Sequence, residues 1–594
     1  MNQDPNRPEQ TSPQWEPAQP WTPVAGEAPP PTGRRKRGRV VAGIVAGLIA
    51  LAGIAFAALT LFNVFAGTQD VLANKVPARS LFYATAYLDP GAGQKVNLRS
   101  LAGKFPALQG RDLGQTLQQG LDLIAAQSGL SFSGDIQPWL GSQIALAFEP
   151  PTGPEPGFAL LVDSKDDARA SAAMGKVERS QQFGGGATWR SEPYQGVDVR
   201  VGESTSGISG RAYAILDNTV VVSTDADVVH EVIDTIQGRS ATLADDPTYQ
   251  ETLDGLPKSV LGLAYVDFRG LLSLIAGGMF SGSGSSVGLP VASPSPTFAA
   301  SSVNQISNPL SQLQAFKGLG MSLSAQEAGF ELDVALDLDR SKLPPQAQAA
   351  FAEAGSPTEA LRSVPGRAYG VLALSGFKQF LQSFVSQAQL NPQFGSIVGR
   401  LGLQDVVDHL TGQAALEVGP GPTRFPGGAL VVGTDDPSGM EALLNRAAEG
   451  IASSTSPGRL SPFQTQDYKG VTIHFAPGAF PGRSGVTPAY AVANGFGILA
   501  TSPDEVKAVM DAHAGSNITA APTFKDAQAQ VPQGSSLLYL DVQAILQALR
   551  PELSDIFGTQ FSLVEPNIRP VKAVIITSET AGDIQKSHLF LLIR

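Results

Sequence analysis

The chain has 594 residues, of which 42% are hydrophobic and 16% charged, a composition typical of a folded protein of about two to four domains. It contains no cysteine, which excludes disulfides, thiol chemistry, cysteine-ligated zinc and iron–sulfur clusters. Residues 1–67 hold six basic and four acidic residues, so the remaining 35 basic and 49 acidic residues give 68–594 a charge of −14. An acidic region of this size is a poor ligand for nucleic acid, and we expect no nucleic-acid partner.

The N-terminal region predicts a membrane anchor. Residues 1–39 are polar and proline-rich and end in the basic run RRKRGR, which predicts a disordered cytoplasmic tail with a basic flank. Residues 40–62 carry no charge, and at about 1.5 Å per residue they span the roughly 30 Å core of a bilayer. We therefore predict a transmembrane helix over 40–65. The basic flank places the N-terminus in the cytoplasm and the rest outside it, as in a single-pass protein of the cell membrane. Whether the anchor is ever cleaved is left open.

The region after the anchor alternates strand and helix patterns. A helix is expected over 164–178 and another, amphipathic, over 226–238. In the strand 330–339, we expect the apolar residues to point inward and the acidic residues mostly outward. A Ser/Gly/Pro-rich segment, 281–309, predicts a flexible insertion. The other predicted strands are 80–89, 142–149, 158–163, 196–201, a hairpin over 212–224 that turns at Asp217-Asn218, and 260–268.

The pattern then repeats. Residues 212–234 align without gaps on 489–511, with eight of 23 positions identical, and further matches flank this block in the same order. We therefore predict an internal duplication, with units over 76–340 and 364–594. The expected fold class is α+β, with two duplicated, largely antiparallel sheet-plus-helix units after a single N-terminal transmembrane helix. The packing of the two units is left open.

Two pairs of aspartates recur at one place in both units. Asp166-Asp167 and Asp435-Asp436 could bind a cation or share a proton, and they are the candidates for a metal site. Each pair follows a predicted strand and opens a predicted helix, so helix capping is the simpler interpretation. The five histidines show no metal-ligand spacing, and structural roles are expected for them. We predict no catalytic residue, no cofactor-binding residue and no cofactor.

Two short motifs match catalytic patterns without their context. Ser375 and Lys378 match an SxxK pattern, but the companion motifs are missing, and we interpret Ser375 as a helix N-cap. Residues 284–288 match GxSxG, but they lie in the predicted insertion and not at a strand-to-helix turn. Neither motif supports an enzyme.

The segment VLANKVPARSLFYATAYLDPGAGQKVNLRSLAGKFP (71–106), with the tail, the basic run and the anchor before it, resembles the bacterial envelope proteins grouped as domain-of-unknown-function family 3352. The resemblance implies the predicted topology and brings no activity or site residues. Our first hypothesis is a non-enzymatic binding or scaffolding role in the cell envelope. The alternatives are a carrier of an apolar or lipid ligand, for which sheets rich in Phe, Leu and Val are suited, and a carboxylate-based hydrolase. The ligand and the oligomeric state are left open.

Overall fold

The computed structural model describes residues 70–106, 129–150, 157–183, 187–204, 211–276, 314–343, 355–389, 402–421, 426–454, 463–477 and 486–594, with isolated positions at 108–126 and 348–399. The predicted anchor, 40–65, and the predicted insertion, 281–309, lie outside these residues. Within the described ranges, no helix has the length and apolar content that crossing a membrane requires.

The first strand set comprises β1 (Phe82–Tyr87), β2 (Leu140–Glu149), β3 (Gly157–Ser164), β4 (Ala187–Tyr194), β5 (Val197–Ser204), β6 (Arg211–Leu216), β7 (Thr219–Ser223), β8 (Gly262–Asp267), β9 (Phe316–Gln326) and β10 (Gly329–Leu338). The helices of this region are α1 (Ala92–Ala102), α2 (Asp167–Phe183), α3 (Ala226–Ile236), α4 (Pro247–Asp254) and α5 (Phe268–Ala276). These elements confirm the mixed strand and helix pattern expected from the sequence.

The second strand set comprises β11 (Gly370–Leu374), β12 (Leu410–Gly419), β13 (Gly427–Thr434), β14 (Gln464–Tyr468), β15 (Val471–Phe475), β16 (Ala489–Ala493), β17 (Phe496–Ala500), β18 (Ser536–Asp541), β19 (Val571–Ala581) and β20 (Ile584–Ile593). Its helices are α6 (Thr358–Arg362), α7 (Phe377–Gln389), α8 (Leu403–Val407), α9 (Pro437–Ser454), α10 (Pro503–Asp511), α11 (Pro522–Gln528), α12 (Val542–Phe557) and α13 (Thr559–Ile568).

The described strands form one 20-stranded sheet, and every pairing in it is antiparallel. The pairings give the order β4-β5-β6-β7-β3-β2-β1-β8-β9-β10 in the first set, followed directly by β20-β19-β18-β11-β12-β13-β17-β16-β15-β14 in the second. The two sets therefore meet at the β10–β20 pair, which lies at the centre of the sheet.

Local sequence explains two of the two-residue hairpins. Asp217 and Asn218 join β6 to β7 with φ of 46° and 56°, and Asn494 and Gly495 join β16 to β17 with φ of 53° and 78°. Positive φ at both central residues matches the twist of the flanking strands, and Asn, Asp and Gly adopt it at the lowest cost. The turn predicted at Asp217-Asn218 is therefore confirmed.

One face of the sheet carries two large apolar cores covered by helices. In the first set, α3 is capped by Asp225, whose carboxylate accepts from the Asp227 amide at 3.0 Å, and it buries Val229 and Ile233. In the second set, α10 buries Val506 and Val509 in the same way. Helices α4 and α11 lie on this face nearer the centre, against β9 and β19 respectively.

The opposite face is covered chiefly towards its two ends. Helix α2 packs Ala170 and Ala173 near Val162 and Val220, and α9 packs Met440 near Val432. Around the centre, the leucines of α1 contact the ends of β9 and β20, α5 also contacts β9, and α12 contacts β18 and β19. On the face of the central strands opposite α4 and α11, several apolar side chains are nevertheless partly exposed.

Candidate functional site

The predicted aspartates occupy the starts of two helices. Asp166 accepts from the Arg169 amide at 3.0 Å, at the beginning of α2, and Asp436 accepts from the Gly439 amide at 3.0 Å, at the beginning of α9. Such bonds are those of helix caps. Asp167 accepts from the Asn218 amide at 3.2 Å, and Asp435 lies 3.0 Å from His409 Nδ1.

The structure does not bring the two aspartate pairs together. Asp166-Asp167 follow β3 and Asp435-Asp436 follow β13, and ten strands lie between these two in the order of the sheet. Each pair is therefore a local feature of its own strand set.

The SxxK match also has a local explanation. The Ser375 hydroxyl donates to the carbonyl oxygens of Gly355 at 2.7 Å and Ser535 at 3.0 Å, so it holds two chain segments together. Lys378 donates instead to the Asp408 carbonyl at 2.8 Å. The lysine is thus not placed to activate the serine.

Strand β10 has the opposite orientation to the one predicted. Asp333 and Asp337 are only 2% and 1% exposed, because they point to the face that carries α4. Leu332, Val334 and Leu336 point to the other face and are partly exposed. The alternation was predicted correctly, but the assignment of its apolar side to the interior was wrong, because the helices cover the acidic side.

The apolar side of β10 continues across its neighbours. Val334 pairs with Met321 of β9, Leu332 pairs with Leu589 of β20, and Leu540 of β18 pairs with Val574 of β19. Directly opposed residues of antiparallel strands share a face, so these side chains form one surface. We call it the open face and define it by nine partly exposed side chains: Leu319, Met321, Leu332, Val334, Leu336, Leu538, Leu540, Val574 and Leu589.

The open face carries no charge within its strands. The same-face positions between its members are Ile576, Ser578 and Ser587, which are uncharged and buried. Nine partly exposed apolar side chains on one face of neighbouring strands leave apolar surface that a ligand could remove from water. The open face is therefore the candidate functional site.

The reverse side of the same strands carries what we call the polar row: Ser322 of β9, Asp333 of β10, His588 of β20 and Thr577 of β19. The four residues are paired in register. His588 Nδ1 lies 2.6 Å from Asp333 Oδ1, and Glu331 lies on the same side. These three are the described residues that could hold a metal ion.

The electrostatics of the polar row follow from this geometry. Burial alone would lower the pKa of His588, but the hydrogen bond and negative charge of Asp333, with Glu579 and Glu331 nearby, raise that pKa above its ordinary value. Burial, helped by the charge of Asp333, raises the pKa of Glu331. The carboxylates around His588 thus outweigh its burial in their effect on its pKa.

A separate cleft of about 530 Å³ lies between α6 and α11. Its accessible surface is mostly apolar, and its lining includes the core side chains Leu361, Phe524 and Leu537. Unlike the open face, the cleft also has the charged side chains of Arg362 and Lys525 in its lining.

Comparisons with known proteins identify the family of the chain. A search of curated protein sequences finds no match. Among solved structures, crystal form I of TP0453 is 12% identical over 48% of this chain and 85% of that chain, with a TM-score of 0.24. Crystal form III of TP0453 is 10% identical over 48% of this chain and 88% of that chain, with a TM-score of 0.23. Scores this low support no conclusion. The sequence profile of one family, described as protein of unknown function (DUF3352), matches residues 41–592, and the chain belongs to that family.

Proposed function

We propose that the protein is a non-enzymatic binding protein of the cell envelope, which holds an acyl chain of a lipid on the open face. The observation that carries the proposal is the orientation of β10, which buries Asp333 and Asp337 and leaves Leu332, Val334 and Leu336 partly exposed. A folded chain gains by burying apolar surface, about 25 cal/mol for each Å². An apolar strip at the centre of the sheet therefore favours a ligand that removes it from water.

The composition of the open face favours an acyl chain over a protein partner. Protein interfaces concentrate their binding energy in Trp, Tyr and Arg, and the nine side chains of the open face are all Leu, Val or Met. They extend over β9, β10, β20, β19 and β18, five consecutive strands, whose four spacings of about 4.8 Å give a strip of about 19 Å. A narrow, uncharged strip of this length matches a flexible hydrocarbon chain.

The predicted duplication explains where the strip lies. The order of the first strand set recurs in the second, and bulges interrupt β2 after Leu140 and β12 after Leu410. The two final strands pair with each other, and Val334 is opposite Ser587 near the middle of that pairing. A duplicated unit over 76–340 and 364–594 that paired through its last strands would create the open face at the junction, which a single unit lacks.

The predicted anchor gives a source of ligand. A single span over 40–65, with the remainder outside the cytoplasm, would hold the sheet within reach of membrane lipids. The carboxylate-hydrolase alternative gains no comparable support, because the aspartates it would use cap helices in two separate parts of the sheet.

Photo-crosslinking in cells tests the proposal on the full chain. We would place p-benzoylphenylalanine at Val334, on the open face, and, as a control, at Glu203, whose side chain is 68% exposed on β5. After irradiation, the mass of the purified protein shows what has been attached. We expect lipid adducts at Val334 and far fewer at Glu203, which is exposed on β5 outside the apolar strip.

A substitution within the open face gives a second control for this experiment. Leu332→Glu removes about 2 kcal/mol of apolar contact, or about a thirtyfold loss of binding, and should abolish the adduct at Val334. Crosslinks to another protein at Val334 would favour the scaffolding hypothesis instead. Equal lipid labelling at Val334 and Glu203 would refute the proposed site.

A further inference from the structure

Several buried polar atoms of the polar row have no hydrogen-bond partner within the described residues. These atoms are Asp333 Oδ2, His588 Nε2, Thr577 Oγ1 and Ser322 Oγ. A buried polar group left without a partner costs about 1–3 kcal/mol. Four such atoms side by side on adjacent strands indicate that the row holds something polar.

The charge of this region identifies the kind of group. Glu331 and Asp333 of β10 and Glu579 of β19 surround a single imidazole, His588, whose Nε2 lies 3.7 Å from a Glu579 oxygen. Lys586 is paired in register with Glu579, and even with both Lys586 and His588 charged the three carboxylates leave the cluster negative. The side chain of Asp333 is 3% exposed, so water screens it poorly. A cation would satisfy both the charge and the unpartnered atoms.

We propose that the polar row binds one divalent transition-metal ion, of which Zn²⁺ is the representative. Asp333 supplies Oδ2, Glu331 a carboxylate oxygen and His588 a ring nitrogen, with Glu579 or water as the fourth ligand. In a tetrahedral zinc site, bonds of about 2.0–2.2 Å place ligand atoms about 3.3 Å apart. Ligand atoms of Glu331, Asp333 and His588 all lie within 4.8 Å of one another, so rotation of the side chains closes the site.

The mixture of ligands excludes the commonest alternatives. An imidazole beside carboxylates suits zinc and its neighbours in the first transition row, whereas calcium and magnesium prefer oxygen ligands alone. Glu331 and Asp333 come from the last strand of the first set, and His588 comes from the last strand of the second. The metal therefore links the two strand sets across β10 and β20. This inference is independent of the lipid proposal, because it concerns the other face.

Metal content of the purified full chain tests the site. After treatment with a chelator, reloading with Zn²⁺ and dialysis, we expect one Zn²⁺ per wild-type chain by mass spectrometry of the elements. His588→Gln and Asp333→Asn should abolish stoichiometric binding. The matched control is His409→Gln, because His409 forms the same kind of hydrogen bond with Asp435 at an exposed position, and this variant should bind as the wild type does.

Two further measurements keep the test decisive. Zn²⁺ should raise the midpoint of thermal unfolding of the wild type and of His409→Gln, but not that of His588→Gln. If Asp333→Asn does not fold, Glu331→Gln replaces it, since Glu331 is partly exposed and should weaken metal binding without loss of the circular dichroism spectrum. A wild-type chain without bound Zn²⁺, or undiminished binding by His588→Gln, would overturn the proposal.

Discussion

The carboxyl group of Glu149 makes stability depend on pH in a way that one substitution can reveal. Glu149 ends β2 and is fully buried. One of its oxygens accepts from the Ser80 hydroxyl, and the other, Oε2, has no hydrogen-bond partner within the described residues. Burial, with the nearby charge of Glu231, raises the pKa of Glu149 to about 7, although Ser80 and Arg79 oppose the rise.

The size of the effect follows from the pKa values. An unperturbed glutamate has a pKa of 4.5, so the difference between folded and unfolded chains is about 2.5, which corresponds to about 3 kcal/mol. Below pH 4.5 the Glu149 carboxyl is protonated in both the folded and the unfolded chain, so it does not change the free energy of unfolding. As the pH rises to about 7, the unfolded chain releases a proton that the folded chain retains, so the free energy of unfolding falls. Above about pH 7 the free energy of unfolding is lower by the full amount of about 3 kcal/mol.

Glu149→Gln removes this ionisation and keeps an acceptor for Ser80. We expect the variant and the wild type to be equally stable near pH 4, and the variant to be more stable by about 3 kcal/mol near pH 8. Urea unfolding, followed by fluorescence across this range, measures both. Glu203→Gln makes the same chemical change at an exposed site and should leave the pH profile unchanged. Parallel profiles for Glu149→Gln and the wild type would refute the reasoning.

Two other predictions concern the first strand set. Asp70 accepts from the hydroxyls of Tyr83 at 2.7 Å and Tyr249 at 3.2 Å, so Asp70→Ala should lower the free energy of unfolding by about 3 kcal/mol, and Asp70→Asn by less. Equal losses in denaturant unfolding would contradict the role of the acceptor. Asn218 has a φ of 56°, so Asn218→Ala should cost about 1 kcal/mol and Asn218→Gly should not. Thermal unfolding that ranks glycine below alanine would show that this turn is not strained.

The local elements were predictable because their signals are local. The hairpin at Asp217-Asn218 needs only two residues that tolerate positive φ between two apolar runs. The helix predicted over 226–238 is observed at Ala226–Ile236, because apolar residues recur on one side after the capping residue Asp225. The strand predicted over 330–339 is observed at Gly329–Leu338.

The candidate site was not predictable in the same way. It depends on which strands become neighbours, and β10 pairs with β20, more than 200 residues later in the chain. Nothing near Asp333 in the sequence reveals that His588 will lie opposite it. The acidic positions of β10 were assigned to solvent because charged residues are usually exposed. That rule fails here because His588 lies opposite Asp333 and Lys317 lies 3.0 Å from Asp337.

The face of the sheet that the helices cover is nevertheless encoded in β9. Gly318 and Gly320 alternate with Leu319 and Met321 along this strand. A Cβ atom at Gly318 would lie 2.5 Å from the Thr252 hydroxyl of α4, so the helix packs here only because the glycines have no side chains. Since successive residues of a strand point to opposite faces, a helix against the glycines forces Leu319 and Met321 onto the open face. The small residues of a central strand, and not its charged ones, thus indicate which side is the interior.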